Sequence, residues 1–292
     1  MISLPAPTLT LAQTWLSSLA DSLAAAPDPV AADPADLMRL AGLTPDDWQA
    51  DLLRSDWQRA LLLCSRQSGK STVTAALATH TAVYQPGSLT LLLSPSLRQS
   101  GELFGTVKGF YRSVPHAAPV KRESALQMQL VNGSRIVALP GKEATVRGFA
   151  GVDLLVLDEA ARVPDELYFS VRPMLAVSGG RLVMLSTPWG QRGAFYNEWT
   201  GGAAWHRLKV TADQCPRISA EFLAEEKAAM GPTFYRQEYF CEFLQPDNAV
   251  FSYAAIDDAA DHKLAPLFAG PYMGVIHAEQ GTGQGYEFYR RS

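Results

Sequence analysis

The stretch Ala60-Leu61-Leu62-Leu63-Cys64-Ser65-Arg66-Gln67-Ser68-Gly69-Lys70-Ser71-Thr72 decides the fold of this chain. Its apolar first half has the length of a buried strand, and its second half is a polar loop that ends in Gly-Lys-Ser-Thr. Helical spacing begins at Val73. A loop between a strand and a helix N-terminus presents backbone N–H groups that bind phosphate oxygens. The order strand, loop, helix therefore predicts a phosphate-binding loop.

The side chains of this loop have the chemistry that a nucleoside triphosphate requires. Lys70 would reach the β- and γ-phosphates, the Ser71 hydroxyl would ligate Mg²⁺, and Arg66 could touch the γ-phosphate. Cys64 stands where the usual pattern has its first glycine, so the interpretation depends on the strand before the loop and the helix after it. The predicted nucleotide contacts in the loop are Ser65, Arg66, Gln67, Ser68, Gly69, Lys70, Ser71 and Thr72.

Two acidic residues follow a second apolar run, Leu154-Leu155-Val156-Leu157. Asp158 would hold Mg²⁺ through its water shell, and Glu159 would orient or deprotonate the attacking water. Ligands of open α/β sheets bind outside the carboxyl ends of the strands, so we expect these acids at the same edge as the loop. The alternative is that both acids only cap the helix that follows.

Three further segments offer candidate contacts, each with a structural alternative. Ser186 and Thr187 follow a predicted strand and could sense the γ-phosphate through water, or form an ordinary strand-to-loop turn. Trp48 and Gln49 offer a ring and an amide that suit adenine, or a core tryptophan beside a surface glutamine. Arg147, in a glycine-containing loop, could reach a neighbouring subunit's nucleotide as an arginine finger, or be a plain surface arginine.

The composition is that of an ordinary globular protein. The 292 residues include 47% hydrophobic and 18% charged side chains, with a net charge of −4. This balance does not announce a nucleic-acid surface, although a small basic patch or a channel formed on oligomerisation stays open. Three widely spaced cysteines predict reduced thiols in a cytosol-like compartment. No apolar stretch reaches the about 18–20 residues of a membrane span.

Strand and helix patterns alternate along most of the chain, which predicts a mainly parallel sheet with helices on both faces. Asn132-Gly133 lies between alternating apolar residues and predicts a hairpin within residues 124–139. Residues 24–34 are rich in alanine, proline and aspartate and predict a linker. The predicted strands are 60–64, 89–95, 152–157, 181–185 and 205–210. Predicted helices include 8–25, 97–113, 164–176, 219–229 and 232–244, and Thr44 is the predicted N-cap of a further helix that carries Trp48.

Several of these segments stand in the order found in a known family. The loop at 64–72, without its first glycine, resembles the variant Walker A loop of tailed-phage terminase large subunits, the ATP-driven motors that package DNA into proheads. The likeness extends over about residues 45–245. Trp48-Gln49 resembles the family's adenine-binding element, and Leu92-Leu93-Ser94-Pro95-Ser96 resembles the strand that follows. Thr145-Val146-Arg147-Gly148 resembles its Arg-Gly loop, and Leu157-Asp158-Glu159-Ala160 resembles its Walker B element. Leu185-Ser186-Thr187-Pro188 resembles its coupling motif, and Tyr235-Arg236-Gln237-Glu238-Tyr239 resembles the segment that closes the ATPase part.

The resemblance implies an α/β fold of the P-loop NTPase class (additional-strand, RecA-like), plus a small C-terminal lid subdomain. It implies ATP and Mg²⁺ as ligands, with Arg66 acting in cis and Arg147 in trans. It also implies double-stranded DNA, a portal protein and a small terminase subunit as partners, in a homo-oligomeric ring, usually a pentamer. The expected location is the host bacterial cytoplasm, with no membrane partner.

The domain boundaries follow from these assignments. We expect an N-terminal helical extension and linker at 1–43, a P-loop ATPase core at 44–212, and a lid subdomain at 213–270. Residues 271–292 would be the truncated start of a nuclease domain or a tail. Family members continue into an RNase H-like domain whose first strand ends in a metal-binding Asp after Gly-Val, whereas Ile276 follows Gly274-Val275 here. We therefore expect no nuclease activity from this polypeptide.

The leading functional hypothesis is ATP hydrolysis coupled to DNA translocation into a prohead. One alternative is another P-loop DNA-dependent ATPase of the helicase or restriction type, which would usually bring a second RecA-like domain. The other alternative is a truncated remnant that binds nucleotide or packaging partners without packaging DNA.

Overall fold

A computed structural model describes residues 10–23, 29–141, 146 and 148–244, which belong to one compact unit that extends to Leu244. The predicted tail at 271–292, residues 245–270 of the predicted lid and Arg147 lie outside the described residues. None of the helices in the described ranges is long and apolar enough to cross a membrane.

In the part of the chain that the structure describes, eight strands form a single sheet. They are β1 Arg59–Cys64, β2 Leu89–Ser94, β3 Val120–Glu123, β4 Gln127–Leu130, β5 Arg135–Pro140, β6 Leu154–Asp158, β7 Arg181–Ser186 and β8 His206–Val210. Their order across the sheet is β3-β4-β5-β2-β6-β7-β1-β8. The six strands from β5 to β8 pair in parallel, whereas β3 and β4 form an antiparallel edge.

Helices cover both faces of the sheet. They are α1 Leu11–Leu23, α2 Pro29–Ala32, α3 Asp36–Leu40, α4 Asp47–Arg54, α5 Lys70–Tyr84, α6 Leu97–Ser113, α7 Asp165–Val171, α8 Gly193–Thr200 and α9 Ala220–Phe240. Alternate residues of the buried strands enter two separate cores. Leu62 packs in one core with Phe104 of α6, and its neighbour Leu61 packs in the other core with Tyr168 of α7 and Phe195 of α8. Apolar strands without polar alternation are therefore buried on both sides, which confirms the predicted architecture.

The position of β7 sets the geometry of the functional edge. It lies between β1 and β6 and pairs in parallel with each of them. This is the additional-strand arrangement of P-loop ATPases, and it confirms the predicted fold class. The residues that follow β1, β7 and β6 consequently emerge side by side at the carboxyl edge of the sheet.

The predicted hairpin is confirmed. Gln127 pairs with Val137 and Gln129 with Arg135 across antiparallel β4 and β5. Gly133 in the connecting turn has φ +89°, in the left-handed region that a glycine adopts without steric cost.

Four local predictions differ from the structure. Part of the predicted linker is the short helix α2, because Val30 is fully buried in the core. The last helix ends at Phe240, before the predicted end at 244, because Cys241 has φ +56°. Its break at Gly231 agrees with the boundary between the two predicted helices. The N-cap of α4 is Asp46, two residues after Thr44, the N-cap that the run Thr44-Pro45-Asp46-Asp47 predicts. Helix α8 and strand β3 carry no strong periodic signal and were not predicted.

Candidate functional site

The phosphate-binding loop joins the end of β1 to the first residue of α5. The Ser65 N–H donates to the Val210 carbonyl at 2.8 Å, and the Arg66 N–H donates to the Glu238 carbonyl at 3.1 Å. Gln67 and Gly69 have φ of +59° and +89°. Left-handed residues next to right-handed ones turn successive N–H groups toward one side and form an anion-binding concavity. The loop is therefore anchored at its start and turned toward a ligand at its end.

A cavity of about 1520 Å³ opens beside this loop. Gln67, Gly69, Lys70, Ser71 and Thr72 of the predicted nucleotide contacts line it, together with Trp48 and Gln49. Leu43 and Phe222 line the cavity as well and are about 40% exposed, at 41% each. Five of the predicted phosphate contacts thus share one cavity with exposed apolar surface, and a nucleotide requires both kinds of surface. Ser65 and Ser68 are fully buried and do not line it; the Ser68 hydroxyl donates to the Ser65 carbonyl at 2.9 Å.

The amide of Gln49 is hydrogen-bonded within the protein. Its Nε2 donates to the Gly69 carbonyl at 3.2 Å, and its Oε1 accepts from the Asp46 N–H at 2.9 Å. The side chain is 2% exposed, so it is not the surface glutamine of the alternative interpretation. Trp48 is half-buried and packs against the core beside the same cavity. The structure brings both residues to the loop, with the Gln49 amide directed at its backbone.

Lys70 connects the loop to the acidic pair. Its Nζ lies 3.1 Å from Glu159 Oε1, and the Ser186 hydroxyl donates to Glu159 Oε2 at 3.5 Å. Glu159 precedes a short 3-10 turn, Ala160–Arg162, but its side chain makes no capping hydrogen bond there. The Glu159 carboxylate therefore contacts Lys70 and does not cap the turn that follows it. Thr187 is buried next to Ser186, at 3% exposure.

Asp158 has a perturbed acidity. Burial, and then the neighbouring Glu159 carboxylate, raise the pKa of the Asp158 carboxyl to about 6, while Lys70 acts in the opposite direction. Its Oδ1 accepts from the Glu159 N–H at 3.1 Å. Because burial and the Glu159 carboxylate both disfavour the ionised form of Asp158, a nearby cation would stabilise that form. No group of three or more His, Cys, Asp or Glu side chains that could hold a metal occurs in the described part of the chain. Mg²⁺ at a nucleotide site needs only one or two protein ligands besides phosphate, so Asp158 and Ser71 fit this ion.

Arg66 is held by the last helix. Its Nε donates to Glu238 Oε2 at 2.6 Å, and this hydrogen bond raises the pKa of the Arg66 guanidinium. The Arg66 side chain is 60% exposed, whereas that of Glu238 is 10% exposed. The predicted cis arginine therefore pairs with a carboxylate of α9. The second predicted arginine, Arg147, lies outside the described residues.

A comparison with known proteins decides the family. A family model described as terminase large subunit, T4likevirus-type, N-terminal, matches residues 61–258. The chain belongs to the terminase large subunit family. The large terminase subunit of Thermus phage G20c is 26% identical over 252 residues, which cover 73% of this chain and 51% of that protein. This terminase chain spans about half the length of the curated relatives it matches.

Solved structures show the same fold. The ATPase domain of the Thermus phage P74-26 large terminase superposes with a TM-score of 0.63 at 24% identity, over 73% of this chain and 99% of that one. A large terminase from a thermophilic bacteriophage, solved in complex with ADP, has a TM-score of 0.59 at 15% identity, over 68% of this chain and 53% of that one. The architecture of this terminase chain is thus that of large terminase ATPase domains.

Two residues of the site were not predicted as such. Arg217 lies after β8 and donates to Asp46 and to the Ser68 carbonyl. No motif or periodic pattern surrounds it in the sequence. Glu238 lies within the segment Tyr235–Tyr239 that carries part of the family resemblance, but its ion pair with Arg66 depends on the packing of α9 against the loop.

Proposed function

We propose that this chain is an ATPase motor subunit that couples ATP hydrolysis to translocation of viral double-stranded DNA into a prohead. The observation that carries the proposal is the 3.1 Å contact between Lys70 Nζ and Glu159 Oε1. It joins the lysine that would bind phosphate, after β1, to a carboxylate at the end of β6, and β7 lies between these two strands. A P-loop ATPase needs these two groups at one edge of its sheet. The membership in the terminase family supports the DNA-packaging role.

Nucleotide binding would use the loop and the cavity. The N–H groups at the start of α5 and the Lys70 ammonium would bind the phosphates, and Ser71 and Thr72 line the cavity beside them. The base and ribose would occupy the part lined by Trp48 and Phe222. The terminase solved with ADP supports the choice of an adenine nucleotide.

Hydrolysis would use Glu159 as the general base. Its carboxylate would accept a proton from water while the water oxygen bonds to the γ-phosphorus, and the bond from that phosphorus to the β–γ bridging oxygen breaks. Ser186, which donates to the same carboxylate, would hold its orientation. Asp158 and Ser71 would hold Mg²⁺, which neutralises charge on the phosphate oxygens when bound. We propose that Arg66 acts at the γ-phosphate in cis and that Arg147 acts in trans.

Coupling would use the connection between the loop and α9. Glu238 accepts from both the backbone N–H and the side chain of Arg66, so a displacement of the loop arginine is transmitted directly to that helix. We propose that residues 44–212 form the ATPase core and residues 213–270 the lid. The proposed partners are a portal protein, a small terminase subunit and further copies of this chain in a pentameric ring, in the host bacterial cytoplasm.

Steady-state ATPase measurements test the proposal on the wild type, Lys70→Ala and Glu159→Gln. Glu102→Gln is the control, because Glu102 is an exposed acid of α6 whose carboxylate pairs with Arg98 within the same helix. Loss of the general base should lower kcat by about 10²–10⁴-fold, and Glu102→Gln should have wild-type kcat. A Glu159→Gln protein that hydrolyses ATP as fast as wild type would show that the assigned mechanism is wrong.

DNA addition separates a motor from another ATPase. A packaging subunit should hydrolyse ATP faster when double-stranded DNA, portal-bearing proheads and small terminase subunit are present together. An ATPase rate that is independent of all three components would contradict the packaging role while leaving the hydrolytic site intact.

A further inference from the structure

Three hydrogen bonds from one arginine close a ring behind the phosphate-binding loop. Arg217 Nη1 and Nη2 donate to the two carboxylate oxygens of Asp46, each at 2.7 Å, and Nη2 also donates to the Ser68 carbonyl at 3.0 Å. Gln49 completes the ring through its bonds to the Asp46 N–H and the Gly69 carbonyl. We call Asp46, Gln49 and Arg217 the loop clasp. It joins three chain segments that are far apart in sequence.

The loop clasp acts on the carbonyl side of the loop. A peptide group that turns its N–H toward a ligand turns its carbonyl away, and a carbonyl held away from solvent needs a donor. Arg217 and Gln49 supply donors to two consecutive carbonyls, those of Ser68 and Gly69. The fit around Gly69 is close, because a Cβ there would lie 2.7 Å from Gln49 Nε2 and 3.5 Å from Arg217 Nη2. The clasp therefore limits how the peptide groups before Lys70 can rotate.

The charge of Arg217 is already matched. Its guanidinium makes a bidentate ion pair with the Asp46 carboxylate, which is the geometry in which arginine binds such a group most strongly. Asp46 is 11% exposed at its side chain and Arg217 is 47% exposed, so the pair borders the cavity without being sealed in the core. An arginine whose charge is balanced in this way is suited to holding the loop, and less suited to binding phosphate itself.

We propose that Arg217 is a positioning residue for nucleotide binding. It holds the Ser68–Gly69 carbonyls and the N-terminus of α4 in one arrangement, so that the loop N–H groups converge before the nucleotide arrives. Preorganisation of this kind strengthens binding because the loop loses less freedom when the ligand is bound. The inference rests on the proposed function, since the ligand in question is ATP.

The matched control is a second arginine of the same design. Arg54, at the end of α4, also forks an aspartate: its Nε and Nη2 donate to the two oxygens of Asp33 at 3.0 Å and 2.6 Å. Neither Arg54 nor Asp33 lines the cavity. Arg54→Ala and Arg217→Ala thus remove the same kind of ion pair from the two ends of one helix, and only the second change touches the loop.

The test measures the affinity for a fluorescent ATP analogue, together with KM, kcat and the thermal midpoint. Arg217→Ala should lower the affinity for the analogue by about tenfold and raise KM by a similar factor, whereas kcat should change by less than about threefold. The affinity of Arg217→Lys for the analogue should lie between those of the wild type and Arg217→Ala, because an ammonium cannot bind both oxygens of a carboxylate and also reach a carbonyl. Arg54→Ala should bind like wild type. If Arg217→Ala does not fold, Asp46→Asn takes its place in the test. This variant keeps the N-cap oxygen of α4 and should also weaken binding of the analogue.

Two outcomes would overturn the inference, and they are distinguishable from failure of the proposed function. If the wild type binds the analogue and Arg217→Ala, or in its place Asp46→Asn, binds it equally well, only the positioning role is wrong. The role is also wrong if Arg54→Ala loses the same affinity at the same thermal midpoint. If the wild type itself does not bind the analogue, the proposed function fails and takes this inference with it.

Discussion

Replacing Gly69 by alanine should destabilise this protein through two separable effects. Gly69 has φ +89° and ψ 19°, a left-handed conformation that costs an L-residue about 1–2 kcal/mol. The new Cβ would also lie 2.7 Å from Gln49 Nε2, closer than two such atoms can approach. The Gln49 amide must therefore move, and the loss of its hydrogen bond to the Gly69 carbonyl costs about 1 kcal/mol more.

The sum is a loss of about 2–3 kcal/mol in the free energy of unfolding. For a domain of this size, each kcal/mol lowers the thermal midpoint by about 2–4 °C, so the expected fall is roughly 4–12 °C. Gly87 provides a matched control, because it has φ +79° and no heavy atom of the described residues lies within 4 Å of the position that a Cβ would take there. Gly87→Ala carries the backbone cost alone and should leave the midpoint about 2–4 °C higher than Gly69→Ala does.

Thermal unfolding followed by circular dichroism measures both variants without nucleotide. The double variant Gly69→Ala, Gln49→Ala completes the design, because removing the Gln49 amide should abolish the steric part of the Gly69→Ala effect. Equal midpoints for Gly69→Ala and Gly87→Ala would refute the reasoning, since they would mean that the Gln49 amide yields without cost. The same conclusion would follow from strictly additive effects of the two substitutions in the double variant.

Three further predictions concern the charged groups of the site. Because the pKa of Asp158 is raised to about 6 from 3.8, the folded protein holds a proton that the unfolded chain releases, and stability falls as the pH rises through that window. Asp158→Asn should therefore raise the thermal midpoint above about pH 6, without Mg²⁺, and leave it unchanged below about pH 4; a constant difference across a pH series would contradict this. Glu238 and the γ-phosphate would compete for Arg66, so Glu238→Gln should lower KM for ATP and Arg66→Ala should raise it. If steady-state kinetics give both variants the KM of the wild type, this competition does not occur. Arg147→Ala and Lys70→Ala subunits, each inactive alone, should regain ATPase activity when mixed with DNA if the arginine acts in trans, and a mixture that stays inactive would argue for action in cis.

Much of the fold could be predicted from the sequence because its signals are local. Apolar runs of strand length, helical spacing and the Asn132-Gly133 turn each fix a short segment through its own sterics and burial. The segment Pro29–Ala32 shows the limit of this approach. Its composition is that of a linker, but the fully buried Val30 and the ion pair of Asp33 with Arg54 hold it against α4.

The sequence by itself determined the groups that would do chemistry: a lysine and a serine between strand and helix, and two acids after a second strand. It did not determine their partners. Only the tertiary structure decided that β7 separates β1 from β6, that the Glu159 carboxylate meets Lys70, and that Arg217 reaches Asp46 across 171 residues of chain. A motif can be recognised because its residues share one backbone segment. A salt bridge between distant segments leaves no local pattern, since it exists only after the sheet order and the helix packing have brought the two side chains together.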